Sequence, residues 1–487
     1  MAKRIGLVVG VGVLALAAVL AINTARFQPA AEGHGEAVTV ADDPAAVARL
    51  AEAVRIPTIS RQAGTVDGPA FQQLHQLLSK SFPRVHSACV PEIVAGYSLL
   101  FTCKGTDAGL KPVLLAAHQD VVPIDPGSES KWQQPPFAGV IAGGYLWGRG
   151  TLDDKQSMMA ILEATERKLA AGWTPKRTVY LAFGHDEEVG GTGAAAMAAL
   201  LKSRGVTLDL VIDEGMAVTK GIVPGIDAPV AHIGIAEKGY LSVKLTATAP
   251  GGHSSMPTDD SAVITLARGP ARLVDNQHPA RLDGATAGML DALGPHMGLG
   301  MRVALANQWL TKPLVLRQFV GNPTTAATVR TSTAPTLLMA GTKDNVLPQS
   351  ASAIVNHRIL PGDSIAGVIA HDRDAIADPR IKVEPSGEGR EPSAVSPTAG
   401  TGYAMLSKAI GRAFPEAIIA PGLVLGGTDA RNYQPVATAI YRFTPMTMTP
   451  ADLPRIHGTN ERIAVADYAR AIAFYGVLLD ETSANGR

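Results

Sequence analysis

The sequence predicts an α/β fold: a mostly parallel sheet flanked by helices, with a smaller α+β unit inserted into it. Three observations carry that expectation. Apolar strand-like runs alternate with helix-length amphipathic stretches over residues 42–247, as they do when each strand is followed by a covering helix. Near Tyr240 the pattern changes to two-residue alternation, as in Leu241-Ser242-Val243-Lys244-Leu245-Thr246, which suits strands wet on one face. After Pro397 the helical pattern returns and runs to the C-terminus.

The elements follow in order. Residues 45–54 read as a short amphipathic helix stopped by Pro57, and 69–82 as a second helix. Val94-Ala95-Gly96 reads as the turn of a hairpin between two short strands. The run Pro112-Val113-Leu114-Leu115-Ala116-Ala117 is of buried-strand type. Residues 155–171 and 193–203 form helices, with strands at 177–183 and 208–212. Alternating strands at 241–248 and 352–359 mark the inserted unit, and helices at 402–414 and 465–479 close the larger one. The expected division is an apolar segment 1–26, a linker 27–41, the larger domain in two parts (42–247 and 389–487), and the insert 248–388.

Composition narrows the function classes. With 487 residues the chain has room for two or three domains. Lys+Arg and Asp+Glu number 43 each, which excludes a nucleic-acid binder that relies on a basic face and a charge-swollen disordered chain. Fifty Gly and 34 Pro without a repeat period fit a loop-rich α/β enzyme, not a solenoid. Two cysteines exclude a disulfide scaffold and a Cys-ligated zinc ribbon. Cys89 and Cys103 flank the hairpin; a bridge there suits an oxidising compartment, but two buried free thiols are the expectation.

Lys3 and Arg4 precede an uncharged run over residues 5–25, closed by Arg26. At ~1.5 Å rise per residue this run reaches bilayer length. Ala15-Leu16-Ala17 lies inside the run and no cleavage pattern follows it, so an uncleaved signal anchor is expected ahead of a cleaved signal peptide. The leading positive charges keep the N-terminus cytoplasmic and place the bulk of the chain in the periplasm or outside the cell.

Five short segments place polar side chains just past apolar strands or before a helix, where open α/β sheets build their sites. In His118-Gln119-Asp120, residues i and i+2 share a direction, so Asp120 can bind one ring nitrogen and free the other for a metal. Gly148-Arg149-Gly150-Thr151-Leu152-Asp153-Asp154 delivers a carboxylate at a helix start, able to bridge two cations. In Gly184-His185-Asp186-Glu187-Glu188, one Glu can bind metal while the other takes a proton from water. Asp213-Glu214-Gly215 and His457 complete the set. Each alone has a bland explanation as a turn, a helix cap or an acidic loop. Together, two histidines and three carboxylates without cysteine suit a pair of zinc ions.

These motifs, with Gly251-Gly252-His253-Ser254-Ser255, resemble those of the di-zinc metallopeptidases. That family includes aminoacylases, acetylornithine deacetylase, and carboxypeptidase S with its N-acyl-amino-acid hydrolase relatives. His-Gln-Asp-Val-Val-Pro at 118–123 and Asp-Glu-Gly at 213–215 favour the last branch. The resemblance implies that His118, Asp153 and Asp213 hold one zinc and that Asp153, Glu188 and His457 hold the other. Co2+ or Mn2+ could replace zinc. It implies Glu187 as general base and Asp120 as the residue orienting His118. It further implies that His253 donates to the substrate carbonyl, often from a neighbouring subunit, and that Asn345 and Arg358 hold the carbonyl and carboxylate. Gly426, Gly427 and Thr428 match a substrate-side loop. Arginine suits that task because it makes two parallel hydrogen bonds to a carboxylate. The expected activity is hydrolysis of an amide beside a free-carboxylate amino acid in a small peptide or N-acyl amino acid. The alternatives are a dipeptidase, a catalyst of the reverse condensation, or an anchored peptide-binding protein without turnover. A homodimer through the insert is also expected.

Overall fold

The apolar run at 112–117 becomes the interior strand of an eight-stranded sheet in the computed structural model, which describes residues 2–29, 35–62 and 65–483. The middle of the expected linker, 30–34, lies outside the described residues. Strands β1 (Cys89–Val94) and β2 (Ser98–Cys103) form the predicted hairpin, with Ala95 and Gly96 at φ 50° and 92° in its turn. β3 (Val113–His118), β4 (Val179–Gly184) and β5 (Leu210–Thr219) follow the predicted apolar runs, and β6 (Val230–Glu237) comes next. β7 (Gly239–Thr248), β8 (Ser332–Ala340), β9 (Ser350–Ile359) and β10 (Ile381–Pro385) build a separate four-stranded sheet. β11 (Ile418–Val424) and β12 (Ile440–Met448) return to the large one.

The large sheet runs β11-β6-β12-β5-β3-β4-β2-β1. Its centre is parallel: β3 pairs in parallel with β4 and β5, and β12 with β5. The hairpin and β6 add antiparallel flanks. Every residue of β3 is buried, which is why its sequence is apolar throughout and does not alternate. Leu114 and Ala116 pack with Met197 and Leu201 of the helix Thr192–Ser203. Helices Lys155–Ala170 and Val465–Ser483 contact the sheet through β3 and β12. Because β3, β4 and β5 are parallel, His118 and the 185–188 segment come at the same ends of β3 and β4, and Asp213-Glu214 lie in β5 just past its last pairing with β3, at Leu115↔Ile212.

Two compact units result. The larger comprises Pro29–Ile235, Ser396–Gly422 and Thr428–Arg487; the smaller comprises Ala236–Val395, the N-terminal helix and Leu423–Gly427. The insert thus begins earlier than 248 and ends later than 388. The reason is β7, which pairs with β9 over its whole length, from Gly239↔Ile359 to Thr248↔Ser350. Helices Ala262–Asp275 and Ile365–Ile376 cover the buried face of this sheet, with Leu245, Val355, Leu266 and Val368 in its core.

Cys89 and Cys103 stand directly opposite each other at the open end of the hairpin and are joined as a disulfide. This corrects the expectation of free thiols. Cross-strand opposition brings two Cβ atoms within disulfide reach, and sequence separation alone does not reveal that register. In the smaller unit the helix Ala2–Arg26 includes Leu7–Arg26, which has mean hydropathy 2.4 and is long and apolar enough to cross a membrane. Its Asn23 donates to Asn307 Oδ1 at 2.9 Å.

His232 in β6 supplies a test of the large unit. Its ring is buried, with Nε2 3.1 Å from Thr219 Oγ1 and no partner for Nδ1. Burial pushes its pKa down to about 4. The unfolded imidazole takes a proton near ~6.5 and the folded one only near the lower value. The stability this supplies is therefore intact above the unfolded pKa and lost as pH falls toward 4, by up to about 3 kcal/mol. The melting temperature of His232→Gln should fall less steeply than that of the parent between pH 7 and 4.5; equal slopes would exclude the assignment.

Candidate metal centre

His118 closes β3, and its ring is held on both sides. Nδ1 lies 3.2 Å from Asp120 Oδ1, and Nε2 lies 2.8 Å from Asp153 Oδ1. Asp120 is fully buried and accepts from the backbone N–H groups of Glu187 (3.1 Å) and Glu188 (3.2 Å) and from the Ser60 hydroxyl. One carboxylate thus fixes the His118 ring and the backbone of the acid pair together.

Asp153 is positioned from a distant part of the chain. Glu461 accepts from the backbone N–H groups of Gly150 (2.9 Å) and Leu152 (2.8 Å) through one oxygen. Its other oxygen accepts from Arg149 Nη1 at 2.6 Å. Arg149 Nη2 also donates to the carbonyls of His457 and Gly458, each at 3.1 Å. The Gly-Arg-Gly loop and the His457 loop are therefore tied by one buried ion pair. His457 sits at φ 57°, and its Nε2 reaches Asp153 Oδ2 at 3.0 Å and Glu188 Oε2 at 3.2 Å.

Two donor groups share Asp153: His118, Asp153 and Glu214 form one, and Asp153, Glu188 and His457 the other, with donor atoms within 4.8 Å in each. Asp213 does not stand in either. Its Oδ2 accepts from the Ala430 N–H at 2.7 Å, and it lies opposite the buried Arg442 of β12 in register. Glu214 takes the place beside His118, with Oε1 3.6 Å from Nε2. Successive side chains on a strand point to opposite faces, so only one of the adjacent acids can face the cluster. The expectation for Asp213 is corrected on that geometry, and Glu214 is the residue that sequence reasoning passed over.

The electrostatics fit a cation. Burial opposes charging His118, yet the carboxylates of Asp120 and Asp153 outweigh it and raise its pKa well above the ordinary value. His457, hydrogen-bonded to Asp153 and Glu188, is pushed up to about 10. Burial also opposes ionisation of Asp153, but the two imidazoles hold it well below the usual carboxylate range. Burial raises Glu187 and Glu214, and neighbouring carboxylates add to both shifts. Glu188 Oε1 is buried without a hydrogen-bond partner. Nitrogen and oxygen donors in a surplus of negative charge are what a divalent ion requires.

Other residues of these motifs are placed as follows. Asp186 accepts from the N–H groups of Thr192 (2.9 Å) and Gly193 (2.8 Å) and so holds the start of the next helix. His185 Nδ1 meets Ser98 Oγ at 2.7 Å. Asp429 is buried with neither oxygen partnered, and a Cβ at Gly184 or Gly191 would come within 2.3 or 2.1 Å of its carboxyl oxygens. Those two glycines leave the space that Asp429 fills. Thr428 caps the turn Asp429–Val436 by accepting from Ala430 N–H. Gly426, Gly427, His253, Asn345 and Arg358 belong to the smaller unit. There, His253 and Val346 are cross-strand partners, and Ser254 N–H donates to Asn345 O at 3.2 Å, so His253 and Asn345 share one ribbon. Arg358 lies over the Tyr240 ring at 5.0 Å.

Residues 114–481 match the description Peptidase family M20/M25/M40. The chain belongs to that family. It is 39% identical to probable carboxypeptidase S-like 2 of Dictyostelium discoideum, over 95% of this chain and 91% of that protein. It is 40% identical to the N-fatty-acyl-amino acid synthase/hydrolase PM20D1.1 of Danio rerio, over 88% of this chain and 84% of that one. The M20 metallo-carboxypeptidase Sso-CP2 of Sulfolobus solfataricus has the same fold at TM-score 0.64 and 18% identity, with 91% of this chain and 100% of that chain covered. This M20 member is therefore a hydrolase of the metallo-carboxypeptidase and amidohydrolase kind.

The Arg149–Glu461 pair generates a prediction about the M20 scaffold. Both side chains are buried, and removing one partner strands the other charge. Arg149→Met should lower unfolding free energy by about 3–5 kcal/mol, with Arg149→Met/Glu461→Gln recovering much of the loss. Urea denaturation of the two variants against the parent measures it; a double variant no better than the single one would refute the pairing energetics.

Proposed function

We propose that the protein hydrolyses the amide bond of N-acyl amino acids, and of small peptides with a free carboxylate, at a centre of two divalent ions, zinc in the first instance. Two donor triads sharing Asp153 carry this proposal. His118, Asp153 and Glu214 would hold one ion, and Asp153, Glu188 and His457 the other; Asp213 supports the strand as a partner of the Ala430 backbone. Ions held there would supply Lewis acidity to a scissile carbonyl and a lowered pKa to bound water. The names of the relatives, N-fatty-acyl-amino acid hydrolase and carboxypeptidase S-like, support the substrate class.

The chain's own residues do the rest. Glu187 takes a proton from the attacking water and returns it to the leaving amine. Asp120 positions His118 and the backbone of the acid pair. His253 Nδ1 meets the Ser255 hydroxyl at 2.8 Å and the Ser255 N–H at 3.2 Å, so Nε2 is the ring nitrogen left for substrate. With its proton on Nε2, His253 donates to the developing oxyanion, a contact worth about 3 kcal/mol when well aligned. Asn345 assists at the carbonyl, Arg358 receives the carboxylate, and Gly426, Gly427 and Thr428 form the adjoining substrate loop. The exposed β8 edge, with Leu337 and Leu338 outward, supports pairing with a second copy through the smaller unit. The N-terminal helix anchors the protein to a membrane, with the catalytic unit in the periplasm or outside the cell.

Two measurements test this. Glu187→Gln should lose about 10²–10⁴-fold in kcat on an N-acyl amino acid while its metal content stays at the parent level; full turnover would remove Glu187 as the base. Glu214→Ala should lose one of the two ions by elemental analysis, whereas Asp213→Asn should keep both. The opposite pattern would return Asp213 to the ligand set.

A further inference from the structure

The smaller unit buries three metal-capable side chains, none of them used above. His357 occupies an inward position of β9, between the buried Val355 and Ile359. Asp372 lies on the buried stripe of the helix Ile365–Ile376, with Val368 and Ile376. Both stand where the pattern reserves apolar residues, and burying such groups is costly unless their polar atoms are engaged. His278 joins them from the stretch that follows the helix Ala262–Asp275. Its exposure is 6%, and that of His357 and Asp372 is 0%.

Their polar atoms converge, and the ion pair between His357 and Asp372 answers only part of them. His278 Nε2 and Asp372 Oδ1 are buried with no hydrogen-bond partner, and His357 Nε2 and Asp372 Oδ2 face each other without hydrogen-bond geometry. His357 Nε2 is 3.0 Å from Asp372 Oδ2, and one donor atom from each of the three residues lies within 4.8 Å of the others. Donors around a tetrahedral ion at ~2.0–2.1 Å stand ~3.3 Å apart, a spacing that small rotamer adjustments reach from here. The His278 ring stacks on His371 at 3.9 Å, and Thr333 Oγ1 lies 3.5 Å from His357 Nδ1, the ring nitrogen away from Asp372.

We propose that His278, His357 and Asp372 form a structural site for one divalent transition-metal ion, zinc or cobalt by donor chemistry, with water in the fourth position. Two imidazoles and a carboxylate suit these ions better than calcium or magnesium, which take oxygen donors. The ion cross-links the 277–283 stretch, β9 and the helix Ile365–Ile376, and so stiffens the unit that carries His253 and Arg358.

The test uses the full-length chain with His118→Ala and His457→Ala, which removes one donor from each triad of the catalytic cluster. After loading with zinc and dialysis against metal-free buffer, elemental analysis should find about one zinc per chain, and zinc should raise the melting temperature. Adding His278→Gln or Asp372→Asn should abolish both effects. A variant without a cooperative melting transition is set aside, and the other then decides. Cobalt loading gives an independent readout: a visible absorption band that His278→Gln removes. Failure of the His278, His357 and Asp372 chain to retain zinc overturns the proposal, as does equal retention with and without His278→Gln. Because both triads are already broken in this background, the result stands apart from whether the catalytic cluster binds metal.

Discussion

The ion pair between Arg149 and Glu461 joins loops 312 positions apart and ties the backbone of each to the other. Glu461 gathers the backbone N–H groups of Gly150 and Leu152, which sets the exit of the chain toward Asp153. Arg149 gathers the carbonyls of His457 and Gly458, which sets the loop that carries the imidazole. Asp153 and His457 then meet at 3.0 Å, with His118 on the other oxygen of Asp153 at 2.8 Å. A flexible glycine-rich loop serves here because its conformation is imposed by a partner from elsewhere in the sequence. Local propensity would not have produced it.

The fold was legible where burial is uniform and obscure where a strand carries function or strain. β3 and β4 are continuous apolar runs, and the helices between them carry amphipathic stripes, so both lie close to their expected limits, whereas β5 runs to Thr219, well past the expected end at 212, because its polar second half carries no apolar signal. β6, β11 and β12 were not anticipated. They contain His232 and Gly234, Pro421 and Gly422, and Arg442 and Pro445, residues that argue against an interior strand. β12 accommodates Pro445 where its register against β5 shifts, between Thr444 and Thr447. Its buried Arg442 sits opposite Asp213, so the charge that hid the strand is answered by the neighbouring one.

Much of the site was legible for a different reason: its residues fall at strand ends and in glycine-rich turns, positions that pattern can locate. The choice within Asp213-Glu214 was not, because two adjacent acids on a strand are equivalent until the sheet fixes which face each one takes. Glu461 was hidden by its role, since a carboxylate that binds backbone N–H groups four residues after a histidine has no signature of its own. Asp429 left a faint signal. Gly184 and Gly191 bracket the acid pair, and glycines at φ values an alanine could adopt, such as Gly184, mark a neighbour that needs the space.

The carboxylates around the cluster sort by what they accept. Asp120, Asp186, Asp213 and Glu461 each receive backbone N–H donors. Such donors satisfy a buried negative charge locally and make these acids part of the scaffold. Glu188 Oε1 and both oxygens of Asp429 receive none, so their charge is answered by protonation or by a cation. For Asp429, burial beside Asp213 raises the pKa well above the ordinary carboxylate value and so favours the neutral acid. Glu188 is different, because His457 hydrogen-bonds its other oxygen and works against that rise. Burial thus acts most strongly on the acid behind the site, and an imidazole counters it at the other. Glu187 lies within the electrostatic reach of both, and burial raises its pKa first and foremost.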